Sequence, residues 1–201
     1  MKLLPYGTRA VLAEFESLAD VMAAAHAWQS AAFPGVVEVV PAARTVLVVH
    51  DATFDRESLQ RPIAAQTPGA IGELVTIDVV YDGEDLAAVA KALDMTPDDV
   101  VRVHASAEYV CAFCGFMPGF SYLTGLDARL TLPRRTTPRT RVPAGSVAIA
   151  AEFSAVYPVE SPGGWHLLGH TDATMWSDDR EPPALLPPGT RVKFQPRSSR
   201  Q

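Results

Sequence analysis

Hydrophobic positions in the first eighty residues follow two alternating rhythms. Thr8 to Phe15 is a short apolar run of strand character. Ser17 then stands where a helix cap is wanted, Asp20 follows three residues later, and alanine-rich sequence runs on to about Ala32 before Phe33-Pro34-Gly35 stops it. Val36–Val40 and Thr45–His50 are β-branched runs joined by Pro41-Ala42-Ala43-Arg44, a hairpin pattern. Asp55 to Gln66 reads as a second helix, closed by Thr67-Pro68-Gly69, and Glu73 to Tyr81 as a last strand. The order βαββαβ predicts a ferredoxin-like sandwich over residues 1–81.

After Asp82-Gly83 the pattern turns helical. Glu84 to Leu93 carries Leu86, Val89, Ala90 and Leu93 on one face. Thr96-Pro97-Asp98-Asp99 opens a second helix, with Thr as N-cap, Pro at the first helical position and acids in the first turn. From Glu108 the apolar runs shorten to Val110–Phe116, Ser146–Ala150, His166–Leu168 and Arg191–Gln195, with Pro and Gly between them. Short strands with such punctuation predict a barrel or sandwich over residues 82–201, so the chain reads as two domains of an α+β protein. Arg197–Gln201 reads as a frayed tail.

With 48% hydrophobic and 20% charged residues in 201, a sizeable core is expected. A net charge of -6 and a pI near 5.3 argue against a nucleic-acid binder, which would carry a basic excess. No apolar run approaches the roughly 20 residues that span a bilayer, and Met1–Tyr6 lacks a signal-peptide core, so a cytoplasmic protein without membrane association is expected. The two cysteines, Cys111 and Cys114, fall on a strand, where residues three apart point to opposite faces. That predicts two reduced thiols rather than a redox pair. No second Cys-x-x-Cys and no His/Asp/Glu spacing suggests a metal site.

The chemistry concentrates in three stretches. Gly115-Phe116-Met117-Pro118-Gly119-Phe120-Ser121-Tyr122-Leu123 contains a tight turn: Pro118 presets φ and Gly119 allows φ > 0. Phe116, Phe120 and Tyr122 around it form either an aromatic rim for a small planar ring or a core-packing turn. Leu132 to Ile149 places Arg134, Arg135, Arg139 and Arg141 in one loop stiffened by Pro133, Pro138 and Pro143. Arginine forks suit carboxylates and phosphates. Three readings are open for this loop: contact with a substrate or nucleotide, contact with an acidic partner, or a solvated face. In each, the arginines are expected to be exposed and to matter little for stability. Tyr157 to Gly169 includes Ser161-Pro162-Gly163-Gly164-Trp165, which offers backbone amides to an anion and an indole to stack, without the Gly-Lys-Ser/Thr of a Walker loop. His104 precedes these stretches and is a further candidate, although a lone histidine is more often structural.

In order and spacing, these three stretches resemble the 5-oxoprolinase B-subunit family, also described as allophanate hydrolase subunit 1 or as Kip-type histidine-kinase inhibitors. The N-terminal half resembles that family only in layout. The resemblance implies a cyclophilin-like β-barrel for the second domain. It also implies an amide-hydrolysing enzyme that works only with its C subunit and a third subunit, opening 5-oxoproline to glutamate with ATP and magnesium. No cofactor is then expected tightly bound to the isolated chain. Other members imply alternatives: a regulator that docks on a sensor histidine kinase, or the carboxyltransferase component of a biotin-dependent urea carboxylase. One stretch departs from the pattern. Ala150-Ala151-Glu152-Phe153-Ser154-Ala155-Val156-Tyr157 stands where the resemblance implies roughly Ala-Gly-x-Gln-Thr-Gly-Ile-Tyr, which puts substrate choice and activity in question.

Overall fold

A computed structural model of the protein describes residues 1–31, 33–60 and 72–197. The chain divides into two compact units, Met1–Ala70 and Ile71–Gln201.

The first unit is a four-stranded antiparallel sheet with one helix. Its strands are β1 (Lys2–Pro5), β2 (Ala10–Glu14), β3 (Val36–Pro41) and β4 (Thr45–His50), in the order β1-β2-β4-β3. Helix α1 (Leu18–Ala31) begins as expected at Ser17, whose Oγ accepts from the Asp20 amide at 3.1 Å. Val21, Ala24, Ala25 and Trp28 recur at helical spacing, and all four are buried with Val11, Ala13, Val46 and Val48 of the sheet. Truncating a side chain as large as Trp28 in such a core typically costs about 3–5 kcal/mol. The hairpin at Pro41–Arg44 is present, closed by Ala42 N–H donating to the Thr45 carbonyl at 2.8 Å.

The ferredoxin-like expectation needs correction. β2 and β3 flank β4 with α1 crossing between them, which is one half of that fold. The edge beside β2 is taken by the N-terminal β1, whose two central leucines are too short a run to stand out in the sequence. The strand expected at Glu73–Tyr81 is β5 (Leu74–Val79), and it belongs to the second unit. The boundary therefore precedes it. The expected helix Asp55–Gln66 begins as a 3-10 turn at Arg56–Gln60 and otherwise lies outside the described residues.

The second unit is a nearly closed barrel, compatible with a cyclophilin-like one. Its further strands are β6 (Tyr109–Cys114), β7 (Ser121–Thr124), β8 (Arg139–Val142), β9 (Ser146–Ala150), β10 (Phe153–Val156), β11 (Ser161–Gly163), β12 (His166–His170) and β13 (Arg191–Pro196). Seven of them make one sheet, β12-β9-β10-β7-β6-β13-β5, while β8 and β11 form a separate ribbon. β5 runs parallel to β13 over six residue pairs, and this ladder draws it out of the N-terminal sheet. The two ends of the sheet meet at Val80 and His170, which exchange backbone hydrogen bonds of 2.8 and 2.9 Å. Gly169 permits that approach: a Cβ there would stand 2.2 Å from the Val80 carbonyl oxygen.

Helices α2 (Leu86–Ala92) and α3 (Pro97–Ser106) pack Val89, Ala90, Val100 and Val103 against Leu130, Ile149 and Leu168. α3 starts at the expected Thr96 N-cap, which with Asp99 makes a capping box, the two bonding each other's backbone amides. A second cluster, including Ile77, Val79, Tyr109, Leu123, Val147, Val156, Val192 and Phe194, fills the sheet.

Candidate functional site

The Gly115–Phe120 segment folds as two linked turns. Phe120 N–H donates to the Met117 carbonyl at 3.1 Å across Pro118 and Gly119, and Gly119 sits at φ +80°, the expected type II turn. Before it, Met117 N–H donates to the Gly115 carbonyl at 2.8 Å, making a three-residue turn centred on Phe116. Phe116 is thereby held at φ +69°, a left-handed conformation that side chains resist. The residue is 61% exposed.

Behind Phe116 runs a continuous aromatic wall. Phe116 meets Phe120 edge-on at 5.4 Å, Phe120 meets Trp165 at 5.5 Å and Tyr157 at 5.3 Å, and Tyr122 meets Trp165 at 5.7 Å. Phe113 stacks on Tyr122 at 4.4 Å, and Phe153 packs edge-on against both. Such edge-to-face pairs add about 0.5–1.5 kcal/mol each beyond burial. The sequence reading named Phe116, Phe120, Tyr122 and Trp165 but missed Phe113, Phe153 and Tyr157. Phe153 stands where the resemblance implies glutamine and Tyr157 where it implies tyrosine, and both fill the wall there. Ala151, in the same stretch where the resemblance implies glycine, sits at φ +51°.

Gly163 has a packing role that the sequence did not show. A Cβ on it would stand 2.3 Å from the Tyr157 hydroxyl. Burial raises the Tyr157 pKa, offset in part by a hydrogen bond from the Trp165 backbone and by the nearby charge of Arg134. Gly164 lies beside Pro138, and its carbonyl accepts from Arg135 N–H at 2.8 Å. His166 Nε2 donates to the Pro133 carbonyl at 2.9 Å. The start of the arginine loop is thus pinned along residues 164–166, over the aromatic wall.

The four arginines do not act as one basic patch. Arg139 uses all three nitrogens: Nη1 and Nη2 reach Asp85 at 2.8 and 2.9 Å, and Nε and Nη2 reach Glu84 at 3.3 and 3.1 Å. Arg135 Nη1 reaches Asp85 at 2.5 Å. Asp85 is 3% exposed and also accepts from the Leu167 amide at 2.8 Å. Burial pushes its pKa up, but these hydrogen bonds and the two guanidinium charges outweigh that and hold the carboxyl below its ordinary range. Arg141 pairs with Glu160 on the surface. The expectation that all four arginines face solvent is therefore corrected for Arg135 and Arg139, whose partners lie some fifty residues upstream. Arg134 alone of the four has no carboxylate partner among the described residues. Its guanidinium lies 6.0 Å from the Trp165 ring centroid, within reach of a cation–π contact. Nearby, Arg135 Nε and the Ser161 hydroxyl are buried without hydrogen-bond partners.

His104 lies elsewhere and is enclosed. It is fully buried, its Nδ1 bonds the Tyr81 hydroxyl at 2.8 Å and its Nε2 bonds the Ser154 hydroxyl at 2.9 Å. Burial lowers its pKa to about 3. It is a neutral tie between α3 and the barrel and touches none of the other candidates, which corrects its place among them. Among the described residues, no group of three or more metal-ligating side chains comes together, and no helix is long and apolar enough to cross a membrane.

A nucleoside triphosphate with magnesium, implied by the resemblance, does not fit these residues. Four arginines face three carboxylates and leave one guanidinium without a carboxylate partner among the described residues, too little for several phosphate charges. What the site can offer at its surface is the exposed Phe116 and the half-buried Tyr122, with a single cation beside Trp165; Phe120 and Trp165 are 1% and 4% exposed and back them from the core.

The carboxyltransferase domain model, subdomain C and D, matches residues 1–186. This chain belongs to that family. It is 38% identical over 205 residues to the 5-oxoprolinase B subunit of Escherichia coli O157:H7, covering 94% of this chain and 93% of the relative. It is 36% identical to the B subunit from Bacillus subtilis (strain 168), covering 87% and 81%. Among solved structures, TTHA0988 superposes with a TM-score of 0.80 at 35% identity over 96% of this chain, which spans 40% of that longer one. The Kluyveromyces lactis urea amidolyase superposes with a TM-score of 0.77 over 98% of this chain and 16% of its own. At 18% identity, that likeness shows the fold alone.

Proposed function

We propose that this chain is the B subunit of an ATP-dependent 5-oxoprolinase, acting with the C subunit and a third subunit to convert 5-oxo-L-proline to L-glutamate. The observation that carries this reading is its 38% identity to a 5-oxoprolinase B subunit along nearly the full length of both chains. The site is consistent with it. 5-Oxoproline is a flat five-membered lactam with one carboxylate. The exposed Phe116 and the half-buried Tyr122, backed by the buried Phe120 and Trp165, suit the ring, and Arg134 suits the carboxylate. In this reading the chain binds and orients the lactam and excludes water from one of its faces. ATP supplies activation of the amide, held by residues outside this chain, since those here do not fit it. With His104 enclosed, no general base at this site is assigned to this chain.

A second reading, a carboxyltransferase component of a biotin-dependent urea carboxylase, is favoured by the family description and by the fold shared with urea amidolyase. One reconstitution separates the two. The chain is combined with the C subunit and the third subunit, and glutamate formation from 5-oxoproline is measured with MgATP. Activity that requires this chain supports the first reading. Activity in its absence, or carboxyl transfer from carboxybiotin in its place, sinks it. In the active complex, Arg134→Ala should raise KM for 5-oxoproline about 10- to 100-fold, the equivalent of roughly 1.5–3 kcal/mol for a charged hydrogen bond. Turnover of 2-pyrrolidinone, which lacks the carboxylate, should be unchanged. Equal losses on both lactams would remove Arg134 from the role.

A further inference from the structure

Cys111 and Cys114 do not point to opposite faces of their strand. The register of β6 against β7 shifts between Cys111 and Phe113, with Cys111 opposite Leu123 and Cys114 opposite Ser121. Leu123 and Ser121 are two residues apart on β7 and so share a face, and residues directly opposite in an antiparallel pair share it too. The bulge at Ala112 absorbs the extra residue and places both thiols on one side. That side is the interior: Leu123, Ser121 and Cys111 are at most 1% exposed, and Cys114 packs on the same cluster.

The bulge also compresses three residues into the span of two. That span is about 6.8 Å on a regular strand, at the upper end of the Cα separation that a disulfide bridges. The side-chain contacts agree. Cys114 Sγ lies 3.7 Å from the Ser121 hydroxyl and from the Leu186 carbonyl, Cys111 Sγ lies 3.7 Å from the Phe113 carbonyl, and the two thiols are close enough to perturb each other's ionisation. Both are free cysteines, Cys111 buried and Cys114 partly accessible. They are the only two in the chain.

We propose that Cys111 and Cys114 are a reversible thiol–disulfide site, closed by low-molecular-weight disulfides of the glutathione class. The partly exposed Cys114 is the entry point. As a thiolate it attacks one sulfur of the small disulfide, forms a mixed disulfide and releases one small thiolate. Cys111 then gives its proton to that thiolate and attacks Cys114 Sγ. The protein disulfide forms and the second small thiolate leaves, so two protein thiols are oxidised as one small disulfide is reduced. The electrostatics match this division of roles. The neighbouring Cys111 thiol, helped by the Ser121 hydroxyl, brings the Cys114 pKa down to about 7, whereas the nearness of Cys114 and burial push that of Cys111 up. The pair lies directly before the Gly115–Phe120 turns, so closing it pins the strand end that carries Phe116.

The test uses the full reduced chain, native, incubated with excess oxidised glutathione, then acid-quenched, alkylated with N-ethylmaleimide in denaturant and weighed intact. Two maleimides before treatment, and none after with a mass two hydrogens lower, are expected, with dithiothreitol restoring both. Cys111→Ser, checked for an intact melting curve, should stop at a single glutathione adduct on Cys114. Two maleimides after treatment, two glutathione adducts, a disulfide-linked dimer, or closure seen only in denaturant would each overturn the proposal.

Discussion

Phe116 combines two unfavourable properties, a left-handed backbone at φ +69° and an aromatic residue left 61% exposed. Backbone strain of this kind costs about 1–3 kcal/mol and persists where the surroundings impose it. Here the Met117–Gly115 and Phe120–Met117 hydrogen bonds impose it, together with the 3.2 Å bond from Gly115 N–H to the Phe120 carbonyl. A displayed, strained aromatic beside the Trp165 wall fits a surface used for contact. Phe116→Gly should therefore raise the melting temperature while weakening either 5-oxoproline binding or association with the C subunit in the reconstituted complex. Calorimetry of the isolated chain and a pull-down with turnover assay would check this. A variant that is less stable, or equally active and equally associated, would make the ring an ordinary packing residue. The Pro118-Gly119 turn was legible because proline and glycine specify φ locally. The left-handed Phe116 was not, because bonds to residues beyond its own dipeptide impose it.

Elements were readable where their signals are local, and misread where a partner is distant. Thr96-Pro97-Asp98-Asp99 announced α3 and its cap, since every group involved lies within one turn. The arginine loop was located correctly, yet its charge balance was invisible. Asp85 and Glu84 neutralise Arg135 and Arg139 from the start of α2, which the sheet brings beside β8 and β12. This reverses the expected consequence of removing Arg139. Its side chain is 17% exposed and Asp85 is nearly buried, so Arg139→Ala leaves a carboxylate short of its main partner. Breaking a buried pair this way typically costs about 3–5 kcal/mol. The residual Arg135 contact and partial exposure bring the cost below that range, to roughly 2–3 kcal/mol. Thermal denaturation of Arg139→Ala should thus show a clear loss of stability, and Arg134→Ala almost none. Equal melting temperatures for the two variants would show that the Asp85 cluster contributes nothing net.

At the scale of the whole barrel unit, the sequence showed the strands but not their partners. β5 reads like any sheet strand, and nothing within it says that its ladder partner is β13, more than a hundred residues later. His104 belongs to the same class of feature. From α3 it reaches Tyr81 just beyond β5 and Ser154 on β10, and its ring stacks on Phe194 of β13 at 4.7 Å. Its backbone carbonyl also accepts from the Tyr109 hydroxyl at 2.9 Å. His104 thus ties the helix to Tyr81 and to β6, β10 and β13. Its ordinary pKa is 6.5 and the folded value is about 3. Between those values the unfolded chain takes up a proton that the folded chain refuses, so stability is full above about pH 6.5 and falls as pH drops below it. Each unit of pH well inside that window removes about 1.4 kcal/mol, giving a loss of about 2 kcal/mol by pH 5. Asp85 does not confuse the measurement: its pKa is held below 3.8, so its contribution is lost only at more acid pH. Melting curves from pH 8 to pH 5 should fall steeply for the native chain. For His104→Gln they should start lower and stay nearly level, because glutamine keeps polar contacts without a titrating group. If both chains decline in parallel, or if the His104 ring is seen by NMR to protonate near pH 6, the imidazole is reached by water and the tie between helix and barrel is looser than its hydrogen bonds indicate.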